Sequence, residues 1–346
     1  MSHSPELAAT ARSLVSAGRG ILAIDESNKT CNARFAALHI AETEDARRAY
    51  RELLLTTPGL GAWISGAILY DETLRQATAD DVPFVRVMND AGILPGIKVD
   101  TGTVPLAGSP GELITEGLDG LPKRLEEYRI LGARFTKWRA VIAISEQTPT
   151  PRALRANAQS LARYAKAAQT AGLVPIVEPE VLADGTHDIE RCATATREAL
   201  KHVFEALDAE EVDLPGIILK PNMVTPGLRS SHRVSVAEVA KATLETLLAN
   251  VPANVGGVAF LSGGLDDVLS TQHLQAMNAI ALERPWPLTF SYGRALQQAA
   301  LHAWRGSPRE VPRAQAILAH RAACNAAAAL GQYDQAIEDR PILATA

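Results

Sequence analysis

The chain has 346 residues, of which 47% are hydrophobic and 21% charged, and its formal net charge is -5. That balance belongs to a globular protein and carries no basic footprint for nucleic acid or an anionic membrane. No stretch approaches the roughly 20 apolar residues of a membrane span. The opening "MSHSPELAATARSLVSAGRG" lacks the basic-then-apolar order of a signal peptide. Cys31, Cys192 and Cys324 are odd in number, far apart and without a C-x-x-C pair. They speak against a disulfide framework or zinc cluster and for a reducing compartment, so a cytoplasmic protein is expected.

Eight short apolar runs follow one another along the chain. They are "GILAID" (20–25), "ISGAILY" (64–70), "GILPGIKVD" (92–100), "RFTKWRAV" (134–141), "LVPIVEPE" (173–180), "GIILKPN" (216–222), "GVAFLSGG" (257–264) and "LTFSYGRA" (288–295). Each is near-continuously apolar rather than alternating, as in strands buried on both faces. Helical patterns lie between them. Thr150-Pro151 gives an N-cap and an N1 proline, Leu154, Ala158, Leu161 and Ala165 hold one face, and Gly172 marks the stop. Leu200, Val203, Phe204 and Leu207 keep helical spacing between Asp188 and Glu210. Ser235 and Glu238 have capping-box spacing ahead of Val239, Leu244, Leu247 and Leu248.

Eight buried strands alternating with helices predict a single-domain α/β fold over 1–346, a parallel (β/α)8 TIM barrel, with 331–346 as a flexible tail. An open doubly wound sheet would ordinarily carry a glycine-rich turn after its first strand, and here that turn is "ESNKT". The glycines of "GLGAWISG" (59–66) have the wrong spacing and precede a strand, so they do not form a dinucleotide loop.

A barrel of this kind builds its site at the C-terminal ends of its strands. Those ends carry Asp25, Glu26 and Ser27; Lys98 and Asp100; Lys137 and Arg139; Glu178 and Glu180; and Lys220, which Pro221 cuts off from further ladder bonding. Residues two apart on a strand share a face, so Arg139 joins Lys137 as a candidate for the site, and Glu180 joins Glu178. Burying such charges costs several kcal/mol per ion unless they pair, so their convergence on one mouth points to chemistry. A lysine amine freed of its proton by neighbouring cations and burial attacks a ketone to form a Schiff base, an electron sink for breaking an adjacent carbon–carbon bond. Lys220 is the candidate nucleophile, Lys137 the candidate neighbouring cation, and the carboxylates candidates for proton transfer.

The loops after the last two strands offer Ser262, Gly263 and Gly264, then Ser291, Gly293 and Arg294. Hydroxyls, unhindered N–H groups and a guanidinium suit phosphate oxygens. Ser27, Thr30, Arg34 and Lys98 are candidates for a second anionic group. The eight histidines are scattered, and the nearest approach to a ligand cluster, "HDIE" (187–190), falls at a helix start. No metal and no cofactor are called for.

The segments "GILAIDES", "GIKVDTG", "LAGSPGE", "KWRAV", "PIVEPE", "LKPNMVTPG", "FLSGG" and "LTFSYGRALQ" together resemble class I fructose-bisphosphate aldolase, the metal-independent glycolytic enzyme, over about residues 5 to 335. The resemblance implies retro-aldol cleavage of fructose 1,6-bisphosphate to dihydroxyacetone phosphate and glyceraldehyde 3-phosphate, with a phosphorylated sugar as partner and a homotetrameric assembly. It implies Lys220 as the Schiff-base lysine, Glu178 as the proton carrier that dehydrates the carbinolamine and Glu180 as its support. Asp25 becomes the base for the C4 hydroxyl and Lys137 the cation beside it. Ser262, Gly263, Ser291, Gly293 and Arg294 fall in the C1-phosphate pocket, and Ser27, Thr30, Arg34 and Lys98 in the region handling the C6 phosphate.

The chain departs from the animal members at Asn28-Lys29-Thr30, Ala33 and Thr101, and its "RPILATA" end lacks their terminal tyrosine. In this it resembles bacterial members, and the preference between the 1,6-bisphosphate and fructose 1-phosphate is left open. Two alternatives stand beside this reading. Another Schiff-base sugar-phosphate aldolase or a transaldolase differs at the second phosphate subsite, and a non-catalytic scaffold with the same fold would have lost the lysine and carboxylates.

Overall fold

The computed structural model describes residues 4–340. All eight apolar runs become strands: β1 (Gly20–Ala23), β2 (Ile64–Leu69), β3 (Leu94–Lys98), β4 (Phe135–Ile142), β5 (Val174–Val181), β6 (Ile218–Leu219), β7 (Val258–Phe260) and β8 (Leu288–Tyr292). They pair in parallel, each with its sequence neighbours, and β1 closes on β8 through Ile21 opposite Ser291. The result is a closed (β/α)8 barrel. β6 is the shortest strand because Pro221 has no N–H to donate; Lys220 N still donates to Val177 O, and the Pro221 carbonyl accepts from Leu261 N.

The barrel interior is filled from below. Helix Ser4–Leu14 brings Leu7, Ala11 and Leu14 against Ile21, Ile68, Phe135, Val174, Ile176 and Ile218. Phe135 occupies so much of this layer that a Cβ on Gly96 would lie 2.2 Å from its ring. Glycine at 96 is thus a packing requirement of the neighbouring strand. Outside the barrel a larger apolar layer, including Leu22, Trp138, Leu161, Val177, Leu244 and Phe290, joins strands to the surrounding helices.

The helix ends follow the expected chemistry. Thr150 caps Pro151–Thr170 by accepting from Ala153 N, Asp188 caps Ile189–Ala209 by accepting from Arg191 N, and Ser235 and Glu238 form the reciprocal capping box of Val236–Asn250. Leu248 differs from its expected place on the buried face. It is exposed, one residue and about 100° beyond the buried Leu247, while Val239 and Leu244 are buried. Of the segment 331–346, Tyr333 is buried and Gln335–Glu338 forms a helical turn, its Glu338 paired with Arg321 at 2.5 Å. Residues 341–346 of that segment lie outside the described residues.

Candidate active site

A cavity of about 820 Å³ opens at the C-terminal ends of the strands. It is lined by Asp25, Ser27, Thr30, Arg34, Lys98, Lys137, Arg139, Glu178, Glu180, Lys220, Ser262, Gly263, Ser291, Gly293 and Arg294, so the fold gathers these dispersed candidates in one place. Gly264 is the exception. It lines a smaller neighbouring cavity of about 290 Å³ with Asp266, Asp267 and Gln298, and Arg294 stands between the two. With φ of +87°, Gly264 lets the chain turn where a Cβ would stand 3.0 Å from Arg294 Nη2.

At the floor, Lys220 Nζ lies 3.1 Å from Glu178 Oε1, and the other oxygen of Glu178 lies 3.3 Å from Lys137 Nζ. Lys137 also reaches Asp25 Oδ2 at 2.8 Å and Asp100 Oδ2 at 4.0 Å. Lys220, Glu178 and Lys137 are 4%, 4% and 3% exposed, so these charges work in a low-dielectric setting where pairing decides protonation. Burial alone would raise the Asp25 carboxyl, but Lys137, then Lys220, outweigh it and hold Asp25 down at about 2. Burial likewise opposes ionisation of Glu178, and Lys220, Lys137 and Arg139 overcome it, keeping the carboxyl below its ordinary value. For Lys137 desolvation favours the neutral amine, while Asp25, Glu178 and Asp100 outweigh it and push the ammonium above its usual range. Lys137 therefore remains a cation.

The strand register explains the grouping. Lys98 of β3 stands level with Lys137 of β4, and Arg139 stands level with Glu178 of β5. Two cations side by side need carboxylates between them, and Asp100 supplies one, with Oδ1 2.6 Å from Lys98 Nζ. Arg139 pairs with Glu180 one rung further out.

The two ends of the cavity differ. At the β7 and β8 end, Ser291 Oγ is buried without a hydrogen-bond partner among the described residues, and Gly263 takes a φ of +59°. With Arg294 at the start of helix Arg294–Trp304, this end presents unsatisfied donors to an anion. At the opposite end Ser27 Oγ is occupied as the N-cap of helix Asn28–Ala36, accepting from Thr30 N and meeting Thr30 Oγ1 at 3.1 Å. Arg34, in the last turn of that helix, pairs with Glu26 at 2.6 Å.

Several lining residues had no assigned role in the sequence reading. Glu26 and Asp100 sit at strand ends like those that had one, and their polar position was the available signal. Tyr70 is the polar tip of the β2 run. Arg124 and Tyr128 come from helix Leu121–Ile130, four residues apart on one face, and Arg124 Nη1 donates to Val99 O at 2.8 Å, just beyond the end of β3. Among the described residues His320, Cys324 and Glu338 are near enough together to hold a metal ion. They lie outside this cavity, and both Glu338 oxygens already accept from Arg321.

A parallel barrel with a buried lysine among carboxylates at its mouth, and a glycine- and arginine-bearing anion pocket beside it, has the layout of an enzyme that forms an imine with a phosphorylated ketone. The family model for class I fructose-bisphosphate aldolase matches residues 6–342. The chain is 55% identical to a probable class 1 fructose-bisphosphate aldolase of Xanthomonas campestris pv. campestris, over 95% of this chain and 98% of that one. It is 50% identical to the cytoplasmic isozyme of fructose-bisphosphate aldolase from Spinacia oleracea, over 96% and 92% of the two chains. A solved fructose-bisphosphate aldolase of Plasmodium falciparum, crystallised with TRAP and a small-molecule inhibitor, superposes with a TM-score of 0.94 at 46% identity over 96% of each chain. The chain belongs to the class I fructose-bisphosphate aldolases, lyases that cleave fructose 1,6-bisphosphate reversibly through a lysine Schiff base.

Proposed function

We propose that Lys220 forms the Schiff base and that Glu178 moves the protons. The observation that carries this reading is the buried carboxylate of Glu178 bridging Lys220 at 3.1 Å and Lys137 at 3.3 Å. Glu178 accepts the ammonium proton of Lys220, and the free amine adds to the C2 ketone. Glu178 returns the proton to the carbinolamine hydroxyl, which leaves as water and gives the iminium. Asp25 takes the C4 hydroxyl proton as the C3–C4 bond breaks, releasing glyceraldehyde 3-phosphate and passing the bond's electron pair into an enamine on Lys220. Protonation of C3 and hydrolysis then release dihydroxyacetone phosphate and the amine. Lys137 stays charged between Asp25 and Glu178, and Glu180 holds Arg139 at the wall of the cavity facing the substrate.

Ser262, Gly263, Ser291, Gly293 and Arg294 hold the phosphate on the ketone fragment, with Gly264 shaping the loop against Arg294. Arg34 and Lys98, with Ser27 and Thr30, face the second phosphate. The chain acts in the cytoplasm as a homotetramer, in glycolysis and gluconeogenesis, a reading supported by family membership and by a cytoplasmic relative half identical to it. No helix of the described residues is long and apolar enough to cross a membrane.

Borohydride reduction in the presence of dihydroxyacetone phosphate tests the lysine assignment. The protein should gain the mass of one reduced substrate, peptide mapping should place it on Lys220, and Lys220→Arg should lose both label and cleavage, since a guanidinium stays protonated. A label on Lys98 or Lys137 would refute it.

A further inference from the structure

Arg34 does not stand alone at its end of the cavity. Its Nη1 donates to Glu26 Oε1 at 2.6 Å, and its other guanidinium nitrogens make no hydrogen bond among the described residues. The same Glu26 oxygen accepts from Gln297 Nε2 at 2.5 Å, while Oε2 accepts from Arg51 Nη2 at 3.1 Å. Both anchors are built into the body of the protein. Arg51 is 2% exposed and also donates from Nε to Ile24 O and from Nη1 to Cys31 Sγ. Gln297 is fully buried, donates to Ala23 O and accepts from Tyr50 Oη. Glu26 thus has two buried donors on its protein side and one partly exposed guanidinium on its cavity side.

We propose that Glu26 is a positioning residue that sets specificity for the doubly phosphorylated substrate, holding Arg34 by one N–H so that the rest of its fork faces the second phosphate. The carboxylate is fixed by Arg51 and Gln297, so it defines the place and orientation of a side chain that would otherwise sample many rotamers at a half-exposed helix end. Preorganisation of this kind strengthens binding by lowering the entropy lost when the ligand arrives. A planar fork suits the task because one edge engages the carboxylate while another remains available for phosphate oxygens. A lysine at 34 carries its three donors on one nitrogen, so drawn to Glu26 it lacks a second, separated edge for the phosphate. The proposal rests on the reading that Arg34 belongs to the second phosphate subsite.

The test is the ratio of kcat/KM for fructose 1,6-bisphosphate to that for fructose 1-phosphate, measured with the full chain. This ratio cancels effects common to both substrates, including any disturbance of the neighbouring Asp25. Arg34→Ala should lower it at least tenfold; an unchanged ratio would remove Arg34 from the subsite and the proposal with it. Glu26→Gln should lower the ratio five- to tenfold, and adding it to Arg34→Ala should lower it no further. Should Glu26→Gln fail to fold, Arg34→Lys, a change at a half-exposed position, still decides. It should behave like Arg34→Ala. If Arg34→Ala lowers the ratio but Glu26→Gln leaves it unchanged or raises it, or if Arg34→Lys keeps the parent ratio, Glu26 does not position Arg34 and the proposal alone fails.

Discussion

Lys137 Nζ and Asp25 Oδ2 lie 2.8 Å apart, with side-chain exposures of 4% and 15%, at the centre of the charge cluster at the barrel mouth. The pair joins β4 to the end of β1 across the barrel mouth, and each partner favours the charged form of the other. Lys137→Met would leave Asp25 without its nearest cation and remove one of the two lysines that keep Glu178 ionised. Loss of one partner from a buried pair costs about 3–5 kcal/mol. The variant should be destabilised by that order in urea titration, and its cleavage rate should fall on the order of a thousandfold. A variant of near-parent stability and rate would show that the two residues are not coupled.

Acid should expose the same linkage in the parent protein. Asp25 is held at about 2 in the fold against an ordinary 3.8, so below about pH 4 the unfolded chain binds a proton that the folded chain refuses. The stability it contributes is fully present above pH 4 to 5 and is lost as pH falls toward 2, with on the order of 1 kcal/mol gone by pH 3. Glu178, also depressed, adds in the same direction. Urea unfolding at pH 5 and pH 3 should show a smaller loss in Asp25→Asn than in the parent.

Removing the Arg294 guanidinium should separate binding from stability. Arg294 is exposed at the start of its helix, so Arg294→Ala should leave Tm within about a degree or two. Loss of a charge-assisted contact to phosphate costs about 2 kcal/mol, corresponding to roughly a 30-fold increase in KM for fructose 1-phosphate. An unchanged KM would move the first phosphate away from β8.

Gly96 and Phe135 provide a test of the barrel itself. A methyl group at 96 would stand 2.2 Å from the Phe135 ring, so strand or ring must shift. Gly96→Ala should cost about 1–3 kcal/mol as overpacking does. Combining it with Phe135→Leu should cost less than the sum of the two single changes.

Chelation should have no effect on cleavage, because in the proposed mechanism an iminium on Lys220 serves as the electron sink. Loss of activity in EDTA, restored by zinc, would contradict the proposed chemistry.

The sequence by itself determined the eight strands, since "GILAID", "LVPIVEPE" and the rest are short, near-continuously apolar runs alternating with capped helical patterns, as strands covered on both faces are. It also determined the candidate lysines and carboxylates, because the polar residue that follows an apolar strand lands at a barrel's mouth whatever the details of packing. Family motifs carried the roles that chemistry alone left open. Tertiary structure decided which charges pair. Lys98 and Lys137 are neighbours only because β3 and β4 are in register, and Asp100 matters only because it stands between them. Gly264 left the main cavity because a turn of positive φ carries it behind Arg294. Arg124 and Tyr128 entered from a helix packed beside the barrel mouth, and Glu26 acquired its partners from Arg51 and Gln297, separated from it by 25 and 271 residues. Such relations depend on how strands align and helices lean, and those are set by packing across the whole barrel. No local run of residues encodes them.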